Sequence, residues 1–161
     1  MQIDLTSNRF TGPIPPNLCF GNQLRKLNLG QNDFRGSIPP GVGSCSNLTR
    51  LILKQNHLTG IIPDFVENPS LVYINLCSNN LSGEIPISLA NLTKVTSIDL
   101  SMNKLSEPIH PELRRLVELQ ALDLSHNSLV GELPFQLSNC DKVSELEVSN
   151  SLQYRSVPAS F

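Results

Sequence analysis

Six asparagines set a period in this chain. Asn8, Asn32, Asn56, Asn79, Asn103 and Asn127 follow one another at intervals of 24, 24, 23, 24 and 24 residues. Each stands in one frame, clearest in Leu122-Asp-Leu-Ser-His-Asn-Ser-Leu-Val-Gly131. The frame recurs at Ile3–Gly12, Leu27–Gly36, Leu51–Gly60, Ile74–Gly83 and Ile98–Glu107, and a worn copy starts at Leu146. A single unit of this size cannot bury its own leucines. Stacking each unit on the next does so, and a regular period of this length therefore predicts a solenoid.

Each slot of the frame has a physical reading. In leucine-x-leucine the side chains alternate, so Leu122 and Leu124 face a core and Asp123 faces solvent. One short strand per unit follows, with successive strands about 4.8 Å apart in a parallel sheet. The frame asparagine sits where the chain leaves the strand and backbone groups become buried. An amide supplies both donors and an acceptor, and stacked copies are expected to form a ladder of bonded amides. The glycines Gly12, Gly36, Gly60, Gly83 and Gly131 allow a backbone shape that a Cβ opposes. Ile-Pro or a close equivalent comes next, at Ile14-Pro15, Ile38-Pro39, Ile62-Pro63, Ile85-Pro86, Leu133-Pro134 and Val157-Pro158. Proline fixes φ and lacks an N–H, which suits an extended segment beside the main sheet. Leucines three apart, as at Leu113, Leu116 and Leu119, fit 3₁₀ or short helical turns on the convex back.

The units are not identical. Gly21 stands where other return arcs carry Leu or Cys. Unit three is one residue short, and the deletion falls on the convex side beside Asn68-Pro69, which leaves the sheet register intact. In unit five Glu107 replaces the glycine and Pro108-Ile-His-Pro111 replaces the Ile-Pro turn. Unit seven reads as having lost one residue before Asn150, with Tyr154 in place of its glycine. The four cysteines, Cys19, Cys45, Cys77 and Cys140, are expected to be thiols. Cys45 and Cys140 fall in a core slot shared with Leu92 and Leu116, about four coils apart and too far to bridge, while Cys77 is expected exposed on the concave face.

A net charge of −2 with 16% charged residues argues against a nucleic-acid surface. No run of 18 apolar residues exists to cross a membrane. The chain begins inside a strand with no signal peptide and has no polar capping units. It reads as one domain, residues 1–161, of about six to seven 24-residue repeats: an uncapped slice of a longer protein or a truncated product. Uncapped ends predict self-association. No cofactor is implied, and the cysteine spacings do not fit zinc. An acidic strand column without a folded loop is a weak cage for calcium. Ser125, His126 and Asp99 or Asp123 share a face, but adjacent strand residues diverge and no oxyanion hole is evident, so catalysis is not expected. His57 and His110 read as isolated and solvated. Asn47-Leu-Thr, Asn80-Leu-Ser and Asn91-Leu-Thr are glycosylation triplets if the chain is secreted, with Asn47 and Asn91 assigned to one convex slot.

The solvent-facing strand positions form columns. The central one reads Asp4, Asn28, Ile52, Asn75, Asp99, Asp123, Glu147; the one before it reads Gln2, Lys26, Arg50, Tyr73, Ser97, Ala121, Glu145. Charge is segregated along them. Lys26, Arg50 and Lys54 make units two and three basic, and Asp99, Asp123, Glu145 and Glu147 make units five to seven acidic. Neighbouring carboxylates disfavour one another unless a cation intervenes. An extended peptide with charges of both signs would meet complements at both ends, with Ile52, Tyr73 and Met102 for apolar contact between. The candidate ligand-binding residues are Lys26, Arg50, Lys54, Tyr73, Asp99, Asp123 and Glu147.

The stretches Leu58-Thr-Gly-Ile-Ile-Pro63 and Leu81-Ser-Gly-Glu-Ile-Pro86 resemble the plant-specific class of leucine-rich repeats, and the resemblance covers essentially the whole chain. It implies an α/β solenoid: a right-handed superhelix with a parallel concave sheet and a 3₁₀ or short-helix convex side. Gly12-Pro-Ile-Pro-Pro-Asn-Leu-Cys-Phe-Gly21, Leu51-Ile-Leu-Lys-Gln-Asn56, Ser97-Ile-Asp-Leu-Ser-Met-Asn-Lys-Leu105 and Glu118-Leu-Gln-Ala-Leu-Asp-Leu-Ser-His-Asn127 are similar to the ectodomains of the plant elicitor peptide receptors. That likeness implies a segment of a receptor-like kinase on the outer face of the plasma membrane. An extended peptide would lie on its inner surface, with a co-receptor kinase as second partner. Other members of the class imply two alternatives: a free-standing inhibitor of a cell-wall hydrolase, and ice binding through a repeated polar face, for which Ser101, Ser125 and Ser149 make only a partial row.

Overall fold

The structure is a computed structural model and describes residues 1–152. Seven three-residue strands form one parallel sheet in chain order: β1 (Gln2–Asp4), β3 (Lys26–Asn28), β5 (Arg50–Ile52), β7 (Tyr73–Asn75), β9 (Ser97–Asp99), β11 (Ala121–Asp123) and β12 (Glu145–Glu147). Five shorter strands build a second parallel sheet: β2 (Thr11–Gly12), β4 (Asp33–Gly36), β6 (His57–Gly60), β8 (Asn80–Gly83) and β10 (Lys104–Leu105). Coils one to five thus run from main strand to second strand and return across the back. β2, β4, β6 and β8 end at the frame glycine, two residues before the isoleucine of the Ile-Pro pair expected to be extended. The helical turns of the return arcs are 3₁₀: Phe20–Asn22, Pro40–Ser44, Ile87–Asn91, Pro111–Arg115 and Phe135–Asn139.

The leucine frame makes one continuous core. Leu27, Leu51, Ile74 and Leu124 are fully buried, with Leu29, Ile98 and Leu122 nearly so. Each such side chain contributes about 1.5–3 kcal/mol relative to exposure. The core depends on register. Leu51 pairs with Leu27 on one side and Ile74 on the other, although coil three is a residue short. The deletion is absorbed on the back, where the 64–68 segment has no 3₁₀ turn. A Cβ on Gly43 would stand 1.8 Å from the Asp64 carbonyl oxygen, so only glycine lets coil two meet the shortened arc. Asn68, buried, replaces the missing turn by donating to the carbonyls of Val42 and Cys45 at 3.2 and 3.0 Å.

The frame asparagines satisfy buried backbone groups, as expected, and the ladder they form runs through backbone and not from amide to amide. Asn56 Nδ2 donates to the carbonyls of Leu29, Leu53 and Lys54, and its Oδ1 accepts the Phe34 N–H at 3.0 Å. Asn32, Asn79, Asn103 and Asn127 repeat this. From Asn32 onward these amides therefore tie each coil to the preceding one, whereas Asn8 in the first coil bonds only within it. The residue before each asparagine adopts positive φ: Ser7, Gln31, Gln55, Ser78, Met102 and His126 lie at 53–57°. Asn150 also does so, at 53°, which places Ser151 in the frame slot. Ser151 Oγ donates to the Leu124 carbonyl, as an asparagine there would, and accepts the Asn127 N–H. Unit seven has thus lost no residue; a hydroxyl replaces the amide. Tyr154 and Val157-Pro158 lie outside the described residues.

Unit five is also less deviant than its sequence. Ile109 is buried in the isoleucine slot, and His110 takes the proline slot with φ −71° and ψ 128°, close to Pro86 at −65° and 132°. The change lies at Glu107, where no positive φ occurs; the second sheet ends with β10 just before it.

Cys19 and Cys45 form a disulfide, with Cα atoms 5.3 Å apart, which corrects the reading of all four cysteines as thiols. Gly21 leaves its slot without a side chain and turns with φ 79°, so the neighbouring coil's Cys45 is met by Cys19 from two residues earlier. Cys77 is half-buried rather than exposed, and Cys140 is buried. The histidines are not isolated either: His57 Nε2 lies 3.3 Å from Asp33, and His110 Nε2 lies 3.6 Å from Glu84, each across adjacent coils.

Candidate functional site on the concave sheet

The in-register main sheet places the predicted columns side by side. Lys26, Arg50 and Tyr73 are direct neighbours across β3, β5 and β7, and Asp99, Asp123 and Glu147 across β9, β11 and β12. Lys54 follows β5 by two residues. All seven candidates therefore share one face, whose seven strands span about 29 Å at about 4.8 Å per step.

Much of the central column is occupied in shaping its own strand exits. The side-chain oxygen of an Asp or Asn there accepts the backbone N–H two residues on: Asp4 from Thr6, Asn28 from Gly30, Asn75 from Cys77, Asp99 from Ser101 and Asp123 from Ser125, at 2.9–3.2 Å. This is a local Asx turn, and it explains why the column is rich in Asp and Asn without any ligand. Asp99 is further engaged by Asn75 Nδ2 at 2.9 Å and the Ser101 hydroxyl at 2.7 Å. Asp123 has only its Ser125 bond.

The basic end differs in the same way. Lys26 is committed to Asp4 at 2.9 Å, a pairing the column reading did not single out although the two residues are register neighbours of adjacent columns. That ammonium, the Thr6 hydroxyl and the Thr6 N–H together hold the Asp4 carboxyl far below the usual carboxylate range. The Arg50 guanidinium lies 4.5 Å from the centre of the Tyr73 ring, a cation–π contact that leaves its N–H edge to solvent. At the acidic end Tyr73, Asp99, Asp123, Glu145 and Glu147 help line a shallow hollow of about 210 Å³. Cys77 sits between the ends, and burial together with nearby Asp99 pushes its thiol up to about 11.

The serine row does not present a repeated hydroxyl surface. Ser101 and Ser125 are buried, and only Ser149 is exposed. Ser125 is buried while His126 turns out to solvent at positive φ, so the two do not converge. Among the described residues no three His, Cys, Asp or Glu side chains gather in a way that could hold a metal ion, and no helix is long and apolar enough to cross a membrane. Asn47 and Asn91 do not share a slot. Asn91 closes a 3₁₀ turn as Ser44 does in coil two, whereas Asn47 lies three positions further along its arc.

Comparison with known proteins agrees with this architecture. A family model described as leucine rich repeat matches residues 46–105, and a second of the same description matches residues 1–20, 23–45 and 118–140. A protein of Arabidopsis thaliana named "probably inactive leucine-rich repeat receptor-like protein kinase" is 49% identical over 49 residues, 30% of this chain and 6% of that protein. The crystal structure of PEPR1-AtPEP1 superposes with a TM-score of 0.94 at 44% identity, covering 99% of this chain and 22% of that one. The Arabidopsis receptor kinase HAESA, solved with the peptide hormone IDA and the co-receptor SERK1, gives a TM-score of 0.90 at 32% identity over 99% of this chain and 27% of that one. The chain thus spans about a quarter or less of these three proteins. It belongs to the leucine-rich repeat family, in the form built by the ectodomains of plant receptor kinases.

Proposed function

We propose that this chain is a peptide-recognising segment of the extracellular part of a plant receptor kinase. Its ligand is an extended peptide lying across the concave strands. The observation that carries the reading is the polarity of one continuous face: Arg50 on β5 with Lys54 two residues beyond it, and Asp123, Glu145 and Glu147 on β11 and β12, in a sheet whose strands are in register. About nine residues of extended chain, at about 3.3 Å each, would span the seven strands. Within it, acidic and basic side chains about five residues apart, over Arg50 and over Asp123 three strand steps away, satisfy both. Tyr73 between them supplies an aromatic surface already held by Arg50. Two neighbours in structure were solved with peptides, and one of these also with a co-receptor, which supports a peptide ligand and a second kinase as partners here. The cross-coil Cys19–Cys45 bond supports an oxidising compartment, in keeping with an outer plasma-membrane location.

The test is a titration with nine-residue peptides that are acidic at one end and basic at the other, against all-acidic and all-basic controls, at low and high salt. The mixed peptide should bind most tightly, and its advantage should shrink as salt rises. Equal, salt-independent binding of all three would reject the reading.

A further inference from the structure

The shortened third coil leaves a cleft on the convex back, of about 430 Å³. Its walls are apolar: Phe65, Val66 and Pro69 of coil three and Leu92 of coil four. Val66 is 67% exposed there. Buried Asn68 also lines the cleft, and among the described residues no donor reaches its Oδ1. A buried acceptor without a donor is costly. Exposed Asn91 lines the same cleft, and it is the first residue of Asn91-Leu92-Thr93.

The three glycosylation triplets are not equivalent in structure. Around Asn91 the chain is tightly turned, with the Thr93 N–H donating to the Asn91 carbonyl at 3.0 Å. The Asn47 amide instead donates to the Asn22 carbonyl at 2.7 Å, and the hydroxyl of its Thr49 donates to the Arg25 carbonyl at 2.8 Å. Asn80 is half-buried within β8. We infer that Asn91 carries an N-linked glycan whose first sugar, an N-acetylhexosamine, packs into the convex cleft and completes the back of the shortened coil. The sugar's apolar face and acetyl methyl would cover Val66 and Pro69. The cleft lies within the 300–1,000 Å³ typical of small-molecule sites. This inference rests on the extracellular part of the proposed function and is independent of any peptide.

The experiment routes the chain through a eukaryotic secretory pathway. Its glycans are trimmed to the single protein-linked sugar, occupancy is mapped by glycopeptide mass spectrometry, and melting is measured. Asn91 should be occupied. The trimmed protein should melt about 2–4 °C above both Asn91→Gln and Thr93→Ala, which remove the sugar by different routes. Val66→Asp, a carboxylate on the exposed wall, should erase that difference. Sugar at Asn47 or Asn80 but not at Asn91 overturns the inference, as does an occupied Asn91 whose sugar leaves the melting temperature unchanged. Either result leaves the peptide reading standing. Failure of the peptide titration leaves the sugar's effect on melting to be read as before.

Discussion

Asn103 makes four backbone bonds from one side chain. Its Nδ2 donates to the carbonyls of Leu76, Leu100 and Ser101, and its Oδ1 accepts the Leu81 N–H. Asn103→Ala leaves that N–H and those carbonyls buried without the amide, and should cost about 2–4 kcal/mol in urea unfolding, more than an average point substitution. Ser151 shows the lower limit of the slot, since a hydroxyl still provides one bond in each direction. Single titrating groups are also predictable. Cys77, raised to about 11 by burial and Asp99, is a thiol at neutral pH and should react slowly with iodoacetamide, its rate climbing through that value. Asp4 has a lowered pKa, so its contribution to stability is present above the ordinary carboxylate range and is lost as pH falls through the folded value. Lys26→Met should move the Asp4 titration, followed by NMR, up toward that ordinary range.

At the level of the coil, stability comes from repetition and is trimmed where repetition fails. Reducing Cys19–Cys45 opens a link between residues 26 apart and should cost about 3–4 kcal/mol by the loop-entropy estimate, measured as a shift in urea midpoint with and without reductant. The coil was legible in the sequence because its signal is written six times: strand position, inward leucines and sheet register all follow from the spacing of the asparagines. The exceptions were less legible for a physical reason. The disulfide depends on Gly21 reversing the first arc, which no residue count reveals. Unit seven looked a residue short because Asn150 resembles a frame asparagine, while the backbone uses it as the positive-φ residue before Ser151. The expected departure at Ile109-His110 vanished because histidine can adopt proline's extended φ and ψ.

Across the whole molecule the concave columns were readable as a surface but not as a set of free groups. Lys26 and Asp99 turned out to be engaged within the sheet, which shifts the emphasis to Arg50, Lys54, Asp123 and Glu147. The face itself was inferable from alternation alone, whereas the partners of each charge depended on neighbours two residues along and one coil away. The most direct measurement of the central claim is a charge-reversal cycle by calorimetry. Arg50→Glu should weaken the mixed-charge peptide at least tenfold, and reversing the peptide's acidic end should restore much of that loss, while Asp123→Lys should respond only to reversal of the basic end. If both substitutions leave affinity unchanged, or neither is rescued by its matching peptide, the ligand does not lie across these strands.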